Sequence, residues 1–293
     1  MIAETPGKIG RLDQLCRDMS AFLPLHVVDV GANPIEGEAP YKLLLESGHA
    51  KISGFEPNET AFAKLVQQAS AQEKYHCAAL GAGGVETFHL TRNSGFSSVF
   101  RPDPKSIDYL GFQRGAQVEQ TFEVQTTRMD DLPELGDIDF LKIDVQGSEK
   151  TIVQNGKTKL AQAVLIQAEA RFFPIYEGEP SFGDLEAELK SQGFYIHSFA
   201  HMKSVATGLS NRTRFRRHAF RQLVDGDVFF VRDLRTIAQF SDAQIAKLAV
   251  LGDGVMQAFD LALYCVEELG RRGLLQPSAV KQYLALLPAK VLR

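Results

Sequence analysis

Four carboxylates stand at or near the ends of apolar runs: Asp29 in His26-Val27-Val28-Asp29-Val30-Gly31-Ala32-Asn33, Glu56 after Ile52-Ser53-Gly54-Phe55, Asp144 in the run 138–145, and Glu169 closing the run 163–169. A carboxylate can accept both hydrogen bonds of a vicinal diol, balance a cation, or take a proton from a hydroxyl set against it. Glu56 suits a diol. Asp29 suits a bound amino group, or else caps the turn that follows it. Asp144 suits the reacting group, or else caps the next helix, and Lys142 two residues back is a candidate ion partner. Glu169 is a candidate general base, or else a structural partner for Arg171. Arg171 and Tyr176, which follow Glu169, and Ser97 and Ser98, in a long Ser/Gly-rich stretch, are candidate contacts of a second substrate. His197 and His201 offer an alternative base. Arg212, Arg214, Arg216, Arg217 and Arg221 form the one dense charge cluster: either a solvated loop or a site for an acidic group such as a uronic acid or phosphate, with Arg216 as its contact.

These residues need a scaffold that brings strand ends together. Residues 26–30 read as a buried strand and 51–56 as a second, with a helix of about 40–47 between Pro40 and Gly48. Asn58 is placed to cap the next helix. Residues 75–80 read as a third strand, 85–90 and 121–126 as alternating strands with one wet face, and 93–120 as irregular. Strands then follow at 138–145, 163–169, 194–199 and 228–231, with helices at about 148–156 and 182–192. The alternation predicts a doubly wound, mostly parallel α/β sheet ending in an antiparallel pair. Ser241 caps a helical tail to about 269, with Ile245, Leu248, Val255, Phe259, Val266 and Leu269 on one stripe and a break expected at Gly252 and Gly254. Residues 1–235 thus read as one domain and 236–293 as a helical extension, which either caps the sheet or joins a second copy as a homodimer.

The composition narrows the field. The 293 residues are 44% hydrophobic, with a net charge of −4, so a general nucleic-acid binder is not expected. Cys16, Cys77 and Cys265 are far apart and fit no zinc spacing, the scattered histidines compose no metal set, and reduced thiols suit a cytoplasmic protein. The first residues have no cationic start before an apolar core, so no signal peptide is expected, and no apolar run of about 18 residues predicts a membrane span.

A strand, a glycine turn and an acid about 20–25 residues on describe a nucleotide-binding βαβ unit. The turn Gly31-Ala32-Asn33-Pro34-Ile35-Glu36-Gly37 has only one glycine placed for a pyrophosphate, and Glu36 would repel one, which counts against an NAD-dependent oxidoreductase. No P-loop motif occurs. S-adenosylmethionine carries no phosphate and a positive sulfonium, which Asp29 and Asp144 tolerate; Gly31, Asn33 and Glu56 meet its other needs.

Val28-Asp29-Val30-Gly31-Ala32-Asn33, Gly54-Phe55-Glu56-Pro57-Asn58 and 139–149 resemble the three signature segments of FkbM-type methyltransferases, and the resemblance covers about 26–233. It implies the class I methyltransferase (Rossmann-like) fold, S-adenosylmethionine as cofactor with S-adenosylhomocysteine as product, and cofactor contacts from Asp29, Gly31, Ala32, Asn33, Glu56, Pro57 and Asp144. It also implies O-methylation of a small molecule or glycan. Two positions differ from the family pattern: Pro34 follows Asn33, and Gln146 stands where the family often has Glu. The expected catalytic residues are Asp144, Glu169 and His197. The rival expectation is a non-catalytic cofactor-binding or scaffold protein with the same fold.

Overall fold

The structure, a computed structural model, describes residues 6–33 and 37–292. The turn residues Pro34, Ile35 and Glu36, and the segment before Pro6, lie outside the described residues. In chain order the strands are β1 (Leu25–Val30), β2 (Ala50–Phe55), β3 (Glu73–His76), β4 (Ala79–Leu80), β5 (Gly84–Thr91), β6 (Val118–Thr127), β7 (Phe140–Ile143), β8 (Leu165–Arg171), β9 (Phe194–Val205) and β10 (Gln222–Arg232). The helices are α1 (Pro6–Asp18), α2 (Lys42–Glu46), α3 (Glu59–Gln68), α4 (Pro104–Leu110), α5 (Glu149–Gln154), α6 (Phe182–Ser191), α7 (Asp242–Leu251), α8 (Phe259–Arg271) and α9 (Ala279–Ala285). No described helix is long and apolar enough to cross a membrane.

Seven strands form the main sheet in the order β3-β2-β1-β7-β8-β10-β9, parallel except for β10, which is antiparallel to both neighbours. This is the expected doubly wound, mostly parallel sheet with an antiparallel pair at one edge. All six residues of β1 are buried, because both sheet faces are covered. Val27 packs with Leu15, Leu44, Leu248 and Cys265 of α1, α2, α7 and α8 on one face. Val28 packs with Ile152 of α5 and Leu185 of α6 on the other.

Two differences from the expected elements affect the site. The third strand divides: β3 stays in the main sheet, whereas β4 leaves it and joins β5 and β6 in a second sheet of order β4-β6-β5. The stretch 93–120, read as irregular, contains α4, capped by Asp103 and closed by Gly111 in the left-handed conformation. Its Ile107 and Leu110 join Tyr176 and Val224 in a third apolar cluster, and local composition does not reveal such partners.

The tail breaks where its glycines are: α7 ends in a π-helical turn, Gly252–Met256, before α8. Gly254 lies against Leu12 and Leu44, where an added Cβ would come within 3.2 Å of Leu12. Asp253, buried there, takes two hydrogen bonds from Arg11 (2.6 and 3.0 Å) and one from Tyr283 (2.7 Å), tying the tail to the first helix. Ile245, Leu248, Val266 and Leu269 of the tail stripe are packed within the main core.

Candidate functional site

A cleft of about 1510 Å³ opens beyond the carboxyl ends of the parallel strands, where ligands bind in open α/β sheets. Its first half lies over β1 and β2. Gly31 has φ +81°, and a Cβ there would stand 1.9 Å from the Asp144 carbonyl oxygen. Glycine is therefore required by the close meeting of β1 and β7 alone. The Gly31 and Ala32 amides both donate to the Phe55 carbonyl (3.0 and 3.2 Å), which seats the turn on β2.

Glu56 is buried at the end of β2 and lines the cleft with Asn33, Pro57 and Asn58. Its Oε1 accepts from the Asn58 amide at 2.8 Å, while the Asn58 side chain caps α3. Burial pushes the Glu56 carboxyl above its ordinary range, against the amides of Asn58 and Asn33. Asp29, also buried and lining the cleft, accepts from Tyr41 Oη at 2.6 Å and from Lys142 Nζ at 3.1 Å. The candidate Lys142–Asp144 pair thus gives way to a Lys142–Asp29 pair. Asp29 and Lys142 are register partners in neighbouring strands, so the ion pair runs across the sheet, not along β7. Burial pulls the Lys142 ammonium down, but Asp29 and then Asp144 more than offset it, so its pKa is raised overall. The Tyr41 hydroxyl is pushed up by burial and by Asp29 and stays a donor.

The second half of the cleft is built around a residue that sequence reasoning noted only as a departure. Gln146 has φ +60°, a conformation that costs a non-glycine residue about 1–3 kcal/mol and persists only when its surroundings enforce it. Here they do. Its Nε2 donates to Asp144 Oδ1 (3.0 Å) and Glu169 Oε2 (2.9 Å). Its Oε1 accepts from Arg171 (3.2 Å) and Tyr176 Oη (3.1 Å), and its carbonyl from Ser98 Oγ (2.6 Å). Arg171 also pairs with Glu169 (3.0 Å), Glu179 (3.3 Å) and Asp225 (3.1 Å).

This network relocates several expected site residues. Glu169, Arg171, Tyr176 and Ser98 are buried and do not line the cleft; they hold Gln146 and, through it, Asp144. Burial raises the Glu169 carboxyl well above its usual range, with the Arg171 guanidinium opposing. Carboxylate oxygens of Asp144, Glu149 and Glu169 come within 4.8 Å of one another. Glu149 spends its oxygens on the amides of Val145 (2.9 Å) and Gly147 (3.0 Å), closing the loop after β7 in place of the helix cap considered for Asp144. Asp144 and Ser97 do line the cleft.

The far wall comes from β8, β10 and β9. Gln167 lines it, only 7% exposed, and its Oε1 is a buried polar atom without a hydrogen-bond partner. In the next register row Asp227 of β10 stands between Glu169 and His201, and Asp227, His201 and Lys203 all line the cleft. His197, expected as a base, is not there. It sits four residues earlier on the same strand, roughly 13 Å lower at the strand rise. There its ring meets Ser198 Oγ (3.2 Å) and feels Asp260 at the start of α8. Arg216 is exposed in the β9–β10 connection, outside the cleft. Across the opening, Phe88 of β5 and Phe122 of β6 pack at 5.4 Å and line the cleft from the second sheet.

Gln167, Tyr41 and Asp227 were missed; of the two histidines considered as a base, His201 lines the cleft and His197 does not. For Gln167 a signal existed: it lies two residues before Glu169, hence on the same strand face, in an otherwise apolar run.

Among curated proteins none matches the chain. Solved structures similar to it include the magnesium protoporphyrin IX methyltransferase of Synechocystis PCC 6803 with bound SAM (TM-score 0.33, 13% identity, 78% of this chain and 80% of that one). Others are M. jannaschii TYW2 in complex with AdoMet (0.34, 12%, 79% and 79%) and StiE O-MT residues 961–1257 (0.38, 12%, 88% and 80%). The model of the methyltransferase FkbM domain matches residues 29–196, more than half of the chain and spanning Asp29, Glu56, Asp144 and Gln146. The chain belongs to the FkbM-type methyltransferases, whose cofactor is S-adenosylmethionine.

Proposed function

We propose that the chain methylates a hydroxyl oxygen of a sugar or glycoconjugate. The observation that carries the transfer reading is a cleft with two chemically different halves, larger than the roughly 300–1,000 Å³ of a pocket for one small ligand. The half over β1 and β2 suits the cofactor: Glu56 for the ribose hydroxyls, Asn33 and Asp29 for the amino-acid end, and Gly31, Ala32 and Pro57 as close walls. The half over β8, β10 and β9 suits the acceptor, with the Gln167 carboxamide turning its buried, partnerless oxygen toward a hydroxyl donor. The sugar is inferred from the family resemblance.

S-adenosylmethionine, when bound, supplies an electrophilic methyl group on a sulfonium. Transfer would form the C–O bond to the acceptor as the C–S bond breaks, with S-adenosylhomocysteine as the leaving group. Asp29 and Asp144 favour a cation beside them. Gln146 fixes Asp144, Gln167 orients the acceptor, and His201 takes the hydroxyl proton, with Asp227 beside it on the neighbouring strand. Most of the acceleration comes from this positioning.

Titration calorimetry with S-adenosylmethionine and S-adenosylhomocysteine, then transfer of a labelled methyl group to a panel of oligosaccharides, tests the reading. Both ligands should bind and label should appear on oxygen. His201→Gln should lower kcat about 10²-fold or more with cofactor affinity retained. Cofactor binding without transfer to any hydroxyl acceptor would favour the scaffold reading. No binding of either ligand would end both.

A further inference from the structure

The connection between β9 and β10, residues 206–221, has no part in the transfer chemistry. It holds Arg212, Arg214, Arg216, Arg217, Arg221 and His218 and contains no Asp or Glu, in a chain of net charge −4. Arg214, Arg216, Arg217 and Arg221 are exposed. Among the described residues none of the five arginines forms an ion pair. Arg212 donates to the Gly111 carbonyl (3.3 Å) and lies over Phe112, and Arg221 turns to the carbonyls of His218 and Phe220. Mutual repulsion among such guanidiniums is relieved when an anion arrives.

Topology puts this segment beside the cleft. β9 runs parallel to β8, since β10 is antiparallel to both, so the connection leaves the sheet at the edge where Asp144 and Gln146 stand. It is seated there: a Cβ on Gly111 would come 2.3 Å from Leu209 and 2.9 Å from Arg212. His201 and Lys203 line the cleft, Lys203 faces Asp225, and Val205 faces Gln222. At the strand rise Arg221 therefore begins roughly 10 Å beyond Lys203, past the last cleft-lining residue of β9. A charge on the sugar being methylated does not reach that far; a charge on a unit further along a chain does.

We infer that the β9–β10 connection is a second binding surface for an acidic polysaccharide. Carboxylates some units away from the methylated hydroxyl rest on Arg214, Arg216 and Arg217 while the chain runs over Lys203 into the cleft. Guanidinium forks match carboxylates in two-point contact. A polysaccharide with spaced carboxylates fits better than a nucleic acid, whose continuous phosphates would also meet Asp227 and Asp144 at the cleft. The inference rests on the sugar-methylation reading, but its test reads binding alone.

The experiment uses the full chain and fluorescently labelled oligogalacturonate, with dextran and RNA oligomers of matched length as the other arms. Oligogalacturonate should bind, and binding should weaken by about tenfold between about 50 and about 300 mM salt as exposed charges are screened. The triple variant Arg214→Ser/Arg216→Ser/Arg217→Ser should lose about tenfold in affinity, three screened surface pairs together, and the triple lysine variant should recover part of it. S-adenosylhomocysteine affinity and melting temperature should stay at wild-type values in both, which shows that they fold. Equal binding of dextran, an unchanged serine variant, or tighter binding of RNA at the same salt would each overturn the inference. Failure to bind S-adenosylhomocysteine would instead count against the methyl-transfer reading and leave the hairpin result standing.

Discussion

Gln167→Leu should make the protein more stable and less active. Gln167 is 7% exposed and its Oε1 is buried without a partner. A buried acceptor left unsatisfied costs about 1–3 kcal/mol, and a leucine of similar size removes that cost and leaves no polar atom behind. In a chain of this size 1 kcal/mol moves the melting temperature by about 2 °C, so a rise of about 2–6 °C is expected. The chain has no Trp, so the transition is best followed by circular dichroism. The same oxygen is the proposed contact of the acceptor hydroxyl, so kcat/KM for methyl transfer should fall about 10–100-fold, one hydrogen bond in a desolvated site. S-adenosylhomocysteine affinity, measured by calorimetry, should be retained. Such opposed effects on stability and activity mark a residue kept for function. A lower melting temperature would refute the orphaned-acceptor argument, and unchanged transfer would remove Gln167 from the acceptor site. A parallel loss of cofactor affinity would move it to the cofactor half.

Three further perturbations probe the frame. Gly31→Ala places a Cβ 1.9 Å from the Asp144 carbonyl at φ +81°, so β1 and β7 must part; cofactor affinity should drop at least about tenfold, with the left-handed backbone alone costing about 1–2 kcal/mol by thermal unfolding. Glu56→Gln should weaken cofactor binding by about 1–3 kcal/mol, since a charged acceptor for two hydroxyls becomes a neutral one. In the wild type, burial raises the Glu56 carboxyl above its ordinary 4.5, and only the ionised form accepts both hydroxyls. Cofactor affinity is therefore full above that raised pKa and lost as pH falls through it; calorimetry across mildly acidic pH should show this in the wild type and not in the Gln variant. Gln146→Leu strands hydrogen-bonding groups of Asp144, Glu169, Arg171 and Tyr176, and should cost about 2–4 kcal/mol in thermal unfolding together with most of the methyl-transfer rate.

Local chemistry in the chain sufficed for the scaffold and for the residues that line the cleft over β1 and β2. A strand buried on both faces must be largely apolar, a glycine must stand where two strand ends touch, and an acid follows the second strand. Each requirement falls on a short segment, and the two segments are one helix apart, so Asp29, Gly31 and Glu56 stood out in the chain. The break at Gly252 and the capping by Asn58 were legible for the same reason. The half over β8, β10 and β9 was not. Whether Glu169 faces a ligand or an arginine, and whether His197 or His201 reaches the cleft, depends on how far along its strand each residue lies and on what β10 sets beside it. Lys142 chose Asp29 over the nearer-in-sequence Asp144 because register partners meet across a sheet, while neighbours along a strand at i and i+2 stand about 7 Å apart. The left-handed Gln146 is held by Ser98, Glu169, Arg171 and Tyr176, residues up to 48 positions away. Strand periodicity and turn chemistry are properties of short segments and were already in the chain; the polar network around Gln146 exists only once distant strands fix their register, and tertiary structure alone decided it.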